Sequence, residues 1–349
     1  MTVFNLKKPI EPATAMAEAR SEERSRFRAP SSETWTTIAV FVLSIVLILA
    51  SRVISPAFGG WNMAQAILVL SSFVMIAGFG QGLVILLGGL DLSVASVMTF
   101  GGVLTFSWIG ASGPALLWGI PAILLVTAFI GLVNGVGITF LRVPPFIMTL
   151  AVGIIVYSLC LGFTQGTPRG QASPILSALY TGRLLGIPIV IYFMLLAAIA
   201  GQLLQSRTPF GRKLYAIGTS DAAAYIAGIG VRRLTIATYA LAGACSGLAG
   251  IMMVGYAGGA TLTMGQPYLL PSIAAVVVGG TSILGGRGTY LGTVGGAILL
   301  TTISTIIGAL QMAEGWRTVI YGAVILVALL LMREKLLASL ERRVPRKAG

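Results

Sequence analysis

Between Arg52 and Arg142 the only charged side chain is Asp91. That interval holds almost nothing with which a water-soluble fold could cover itself. A hydrocarbon layer about 30 Å thick is crossed by roughly 20 apolar residues in helical form, so several crossings fit inside this one stretch. The rest of the chain has the same character, with 56% hydrophobic and 9% charged residues over 349 positions. Soluble domains carry about 25% charged residues. The expected class is therefore an all-α polytopic membrane protein.

Apolar runs bounded by Gly, Pro or charge predict ten spans, near 35–51, 63–87, 92–111, 115–141, 145–165, 187–205, 234–257, 268–284, 289–309 and 316–332. The span at 268–284 is the weakest, being short and ending in glycines. Residues 1–34 read as a polar tail, 35–332 as the membrane domain and 333–349 as a basic tail. With both termini on one side, that side collects 19 of the 23 Lys and Arg residues, and the other side holds only Arg52, Arg169, Arg183 and Arg317. The excess of basic residues marks the cytoplasmic side. Both ends, and a basic island at 206–233, are thus expected in the cytoplasm, with 166–186 the longest outside loop. No apolar stretch near Met1 resembles a cleavable signal, so the first span is expected to direct insertion.

The net charge of +13 does not point to nucleic acid, because the basic residues sit at the ends of apolar runs. The chain has no histidine, the commonest metal ligand and general base. Its two cysteines, Cys160 and Cys245, both lie in apolar runs and read as packing residues. No metal site and no catalytic constellation is expected.

The island SRTPFGRKLYAIGTSDAAAYIAGIGVRR is the main departure from apolar monotony. Thr208-Pro209 reads as a helix stop followed by a basic turn. Ser220 or Asp221 is placed to cap a short helix through Ala222 and Ala223, which Gly228 ends before Ile229. Its small-residue face suits a groove of another protein; an interfacial connector is the simpler reading.

Three further strings carry local chemistry. In Gly88-Gly89-Leu90-Asp91-Leu92-Ser93, Asp91 or Ser93 is placed to cap the next helix; a proton or solute site is the sharper alternative, since an ionisable group in apolar surroundings is costly. In Val143-Pro144-Pro145-Phe146, Pro144 and Pro145 bar a helix before them and permit one to start. The run Gly279-Gly280-Thr281-Ser282-Ile283-Leu284-Gly285-Gly286-Arg287-Gly288 lacks the Lys of a phosphate-binding GxxxxGK[ST] loop, so close helix packing around a break in the membrane is expected. The two Gly-Gly strings, each followed by another Gly-Gly pair (Gly101-Gly102 and Gly295-Gly296), are either a duplicated half or coincidence in a chain with 45 glycines. Glycines four apart, Gly131/Gly135, Gly243/Gly247 and Gly292/Gly296, read as packing faces within the subunit.

Together these strings resemble the permease subunits of sugar-type binding-protein-dependent ABC importers, the ribose, xylose and arabinose group. GGLDLSVASV is similar to that family's G-G-(I/L)-D-L-S-V-x-S. VPPFIMTL resembles its V-P-(P/A)-F-I-x-T-L, and Thr164-Gln165-Gly166-Thr167-Pro168 its T-x-G-x-P. AAVVVGGTSILGGRG resembles its A-A-V-V-(L/I)-G-G-T-S-L-x-G-G-x-G. The stretch from Gly211 to Ile229 resembles its cytoplasmic coupling loop, with one residue fewer between Gly218 and the acid. The four motifs span Gly88 to Thr289, the resemblance continues to about Met332, and only residues 1–34 and 333–349 look unrelated.

The resemblance implies a multi-pass permease of the bacterial inner membrane that binds no cofactor itself. ATP would be bound by a separate cytoplasmic ATPase subunit docked on Gly218, Asp221, Ala222, Ala223, Gly228 and Ile229. A periplasmic sugar-binding protein and a second permease subunit would complete the assembly. Asn134, Tyr157, Thr164 and Gln165 have side chains suited to a sugar pathway, although packing accounts for each as well. An ion-coupled secondary transporter is the alternative; such proteins use buried acids, histidines or broken helices.

Overall fold

The computed structural model describes residues 32–53, 59–313, 315–323 and 326. Most of the expected polar N-terminal tail, and all of the basic C-terminal tail, lie outside these residues.

The long elements are helices: α1 (Ser32–Ala50, continued by a 3-10 turn at Ser51–Val53), α2 (Trp61–Leu86), α3 (Val94–Leu104), α4 (Ala115–Phe140), α5 (Pro145–Thr164) and α6 (Pro174–Thr181). They continue with α7 (Ile189–Arg207), α8 (Pro209–Thr219), α9 (Asp221–Ile226), α10 (Val231–Ala257), α11 (Leu269–Val278) and α12 (Tyr290–Ala309). Residues 315–323 are also helical, save that 314 is not described. A two-residue antiparallel pair, β1 (Arg183–Leu184) and β2 (Ile187–Pro188), forms the only sheet among the described residues. Its turn residues Leu185 and Gly186 both have positive φ, the geometry that lets a tight hairpin follow the strand twist.

Among the described residues, seven helices are long and apolar enough to cross a bilayer: Thr34–Val53, α2, α4, α5, α7, α10 and α12. The expected spans near 92–111 and 268–284 are shorter apolar helices, Val94–Ile109 and Gln266–Val278. The first loses regularity at Thr105–Ile109, where a π-helical turn carries it to Gly110. The expected span at 316–332 is only partly described.

Two groups of helices share α2. In one, α10 packs on α3 and α4, and α5 packs on α3; in the other, α12 packs on α1 and α11. Helix α2 touches α10, α11 and α12, and most of its residues are buried. Lipid is as apolar as leucine, so close backbone contact through small residues takes the place of a hydrophobic drive. A methyl at Gly131 would strike the Tyr239 carbonyl, and one at Gly296 would strike the Ala275 carbonyl. The expected packing faces are therefore used within the chain. Ile154, Ile155 and Leu159 on α5, and Leu125 and Phe129 on α4, remain exposed, as an outward apolar surface in a membrane requires.

One expectation is corrected here. Pro209 does not introduce a turn. It is the first residue of α8, and Arg212 and Lys213 lie within that helix. Thr208 supplies the cap, its hydroxyl accepting from the Gly211 amide at 3.2 Å, and proline at the first helical position lacks only an amide that would be unpaired anyway.

Candidate functional site: a junction of four distant motifs

Helix α2 ends at Leu86. The Gly88 amide then donates to Ile85 O and the Gly89 amide to Val84 O, with Gly88 at φ +81°. This is the left-handed stop that favours glycine. Helix α11 ends the same way: Gly280, at φ +92°, donates to Val277 O, and Thr281 to Val276 O. The two Gly-Gly strings thus perform one local task at two places.

Past the first stop, Asp91 is 1% exposed. Its Oδ1 accepts from the Ser93 amide at 2.8 Å and from the Ser93 hydroxyl at 2.5 Å. Ser93 is the cap position of α3, but no side chain bonds to the first-turn amides there. Asp91 closes an Asx turn ahead of the helix rather than capping it. The Ser93 hydroxyl accepts from Asn134 Nδ2 at 2.9 Å. The Leu92 amide donates to Thr149 Oγ1 at 3.0 Å. That threonine sits one turn into α5, which starts with Pro144 as cap residue and Pro145 at its first position. Asp91 and Asn134 are thereby tied into a buried network linking α3, α4 and α5, in which Asn134 Oδ1 is left without a partner.

Past the second stop, the Ser282 amide donates to Arg287 O at 2.9 Å and closes the loop 279–288. Gly285 and Gly286 have φ of +85° and +71°. The Gly286 amide donates to Leu86 O at 3.0 Å, which joins this loop to the end of α2. Gly218, in the last turn of α8, lies against the same atoms: a methyl there would collide with Leu86 O and Gly286 N. Tyr215, one turn earlier, donates its hydroxyl hydrogen to Gly288 O at 2.6 Å. Gln205 Nε2 on α7 donates to Gly288 O at 3.3 Å and to Tyr215 Oη at 3.0 Å.

Helix α9 stands beyond this junction. Ser220 is its cap, accepting from the Ala223 amide at 3.3 Å. Gly228, at φ +76°, ends it, with Gly228 and Ile229 donating to Tyr225 O and Ala224 O. Desolvation raises the Asp221 carboxyl above its usual range, while the residue as a whole stays exposed. Ala222 and Ala223 are exposed and Ala224 is buried. Tyr225 and Ile226 are 77% and 85% exposed. They were not singled out from sequence, although an apolar pair closing an alanine helix inside a polar island is a readable sign.

The pathway residues chosen by type do not gather. Asn134 belongs to the Asp91 network. Tyr157 is half-buried in the middle of α5. Thr164 bonds back to Cys160 O at 2.8 Å, and Gln165 is the exposed residue that ends α5 with φ +50°. None of these four residues lines the cavity of about 330 Å³ at the other half of the bundle. That cavity lies between α2, α11, α12 and residues 317–321, and its wall includes Gln266, Tyr268, Thr301, Ser304, Arg317 and Tyr321. Tyr268 continues into an aromatic group, its ring 5.8 Å from that of Phe73. Hydroxyls, an amide and ring faces are groups that hold a neutral polyhydroxylated solute. Among the described residues there is no cluster of His, Cys, Asp or Glu suited to a metal, and Cys160 and Cys245 are free thiols on different helices.

A family model described as "Branched-chain amino acid transport system / permease component" matches residues 63–329. The chain is 36% identical over 320 residues to the ribose import permease protein RbsC of Bacillus subtilis, covering 90% of this chain and 97% of that one. It is 34% identical over 295 residues to the ribose import permease protein RbsC of Haemophilus influenzae, covering 83% and 91%. It is 28% identical over 293 residues to the D-allose transport system permease protein AlsC of Escherichia coli, covering 84% and 90%. No solved structure matches the chain.

Proposed function

The chain belongs to the branched-chain amino acid transport system / permease component family, and from that membership we propose how this member works and what it carries. It is the membrane permease subunit of an ABC importer in the bacterial inner membrane. The cargo is a monosaccharide or a related small polar solute, driven across by ATP bound on a separate cytoplasmic subunit. The family description mentions amino acids, but relatives along most of the chain are named for ribose and allose. The cavity wall offers hydroxyls, an amide and tyrosine rings that suit sugar hydroxyls, with the Arg317 guanidinium as a further donor.

The observation that carries the docking assignment is the junction. Gly218 lies against the end of α2 at Leu86 and against the second glycine loop at Gly286, while the next helix presents Asp221, Ala222, Ala223, Tyr225 and Ile226 outward. Helix α9 is the docking surface for the ATPase, and 206–233 is the coupling loop. The excess of basic residues supports cytoplasmic termini and a cytoplasmic junction. Seven long spans, two shorter ones and the partly described segment at 316–332 support a count of ten. A periplasmic sugar-binding protein delivers to the cavity end, and two permease subunits form the full pathway.

The test is the pair Asp221→Arg and Ala223→Arg. Both side chains project from α9 and leave the bundle contacts intact. The expected outcome is a normally inserted permease that no longer co-purifies with its ATPase and no longer supports ATP-driven uptake. Unchanged co-purification together with unchanged uptake sinks the docking assignment.

A further inference from the structure

We propose that Tyr215, assisted by Gln205, is the positioning residue that transmits movement of the docking helices into the membrane domain, through the Gly288 carbonyl and along α12. The inference rests on the assignment of 206–233 as the coupling loop and names the atoms by which that loop acts.

Two kinds of contact join α8 to the bundle at this point. Gly218 abuts Leu86 O and the Gly286 backbone. Such a contact transmits a push, because repulsion is steep, but it opposes separation only weakly. The Tyr215 hydroxyl bond to Gly288 O, at 2.6 Å, resists separation. Gln205 donates to the same carbonyl and to the Tyr215 oxygen, so the tyrosine is held in place by a neighbour on α7. With both contacts present, the loop follows α8 in either direction.

Gly288 lies two residues before α12. The Thr289 hydroxyl caps that helix, accepting from the Gly292 amide at 3.1 Å. Gln202, one turn before Gln205 on α7, accepts from the Leu291 amide at 3.0 Å. The buried Tyr290 hydroxyl donates to Met75 O in the middle of α2 at 3.0 Å. The start of α12 is therefore gripped on three sides. Its far half, including Thr301 and Ser304, forms part of the cavity wall. Eleven residues separate Tyr290 from Thr301, about 16 Å at the α-helical rise. The face in between carries Gly292 and Gly296, which lie against the α11 backbone at Gly279 and Ala275; small residues leave no side-chain ridges to interlock there. One rigid helix thus has the clasp at one end and the cavity at the other, a physical element that both sites can bias.

The experiment uses the assembled transporter, permease with its ATPase and binding protein, in proteoliposomes with ribose as the probe. Solute taken up per ATP hydrolysed is the readout. Tyr215→Phe removes one oxygen and keeps the ring. Its expected result is normal ATPase retention, continued hydrolysis and a ratio lowered about fivefold, the scale of one hydrogen bond in a two-state equilibrium. Gln205→Leu lowers the ratio in the same direction by less. A merely structural role would lower yield and melting temperature while leaving the ratio alone, and that result overturns the proposal, as does an unchanged ratio in both variants. Failure of the docking assignment is separately visible. In that case Asp221→Arg with Ala223→Arg leaves the ATPase bound and coupled, whereas failure of the clasp alone leaves those two substitutions disruptive and Tyr215→Phe normal.

Discussion

Helices α8 and α9 follow one another with only Ser220 between them, yet their burial differs. Helix α8 buries Leu214 and Ile217 and sets Gly218 against two backbone segments. Helix α9 buries only Ala224 and turns its tyrosine and isoleucine to the outside. The first is held by the membrane domain, and the second has an apolar pair, Tyr225 and Ile226, left exposed among the described residues. A connector would need neither asymmetry. Under the proposed docking, α8 is the element that moves the bundle and α9 the element moved by the ATPase.

The sharpest way to break this division is at Gly218. Gly218→Val places methyls where Leu86 O and Gly286 N already stand. Overpacking against backbone costs about 3 kcal/mol here, at the upper end of its usual range. Thermal unfolding in detergent checks it, and a melting temperature equal to wild type would show that α8 is not seated as described. A smaller and different effect is expected on α9. Tyr225→Ala and Ile226→Ala should leave melting unchanged and weaken ATPase binding, by about 30-fold for the tyrosine if it is an interface anchor. Titration of the solubilised permease with its ATPase measures this; a stability loss without an affinity loss would reverse the roles of the two helices. The smallest effect is at the hinge between them. Ser220→Ala removes the cap of α9, worth about 1 kcal/mol, and should appear as faster amide exchange at Ala223 with α8 unaffected.

Much of the helical layout could be read from composition along the chain. Helix α4 runs Ala115–Phe140 against an expected 115–141, and α12 runs Tyr290–Ala309 against 289–309. Hydropathy and length define such elements because each must cross the same apolar layer. The short elements were harder. The expected helix stop at Thr208 is there, but Pro209 opens a new helix in place of the expected basic turn, and the regular part of α3 gave way at Thr105 to a π turn. At the candidate site, the individual motifs were legible but their meeting was not. Nothing local to Gly218 shows that it will lie on Leu86, and nothing near Tyr215 shows that its partner is Gly288, 73 residues away. The cavity wall was missed for the same reason. Its residues come from four segments, and their side chains are ordinary within each.

The brevity of α11 has a consequence for how the protein is made. With its 3-10 turn it runs Gln266–Val278, about 20 Å of helix, short of a bilayer's apolar thickness of about 30 Å. A segment that short has no stable resting place in lipid by itself as it leaves the ribosome. Its glycine-rich exit loop folds back at once into α12, and the backbones of Gly279 and Gly292 are in contact. The two are therefore expected to enter the membrane as a hairpin, against an α2 that precedes them in the chain. Stable insertion of α11 and α12 is thus expected to depend on α2, against which both pack.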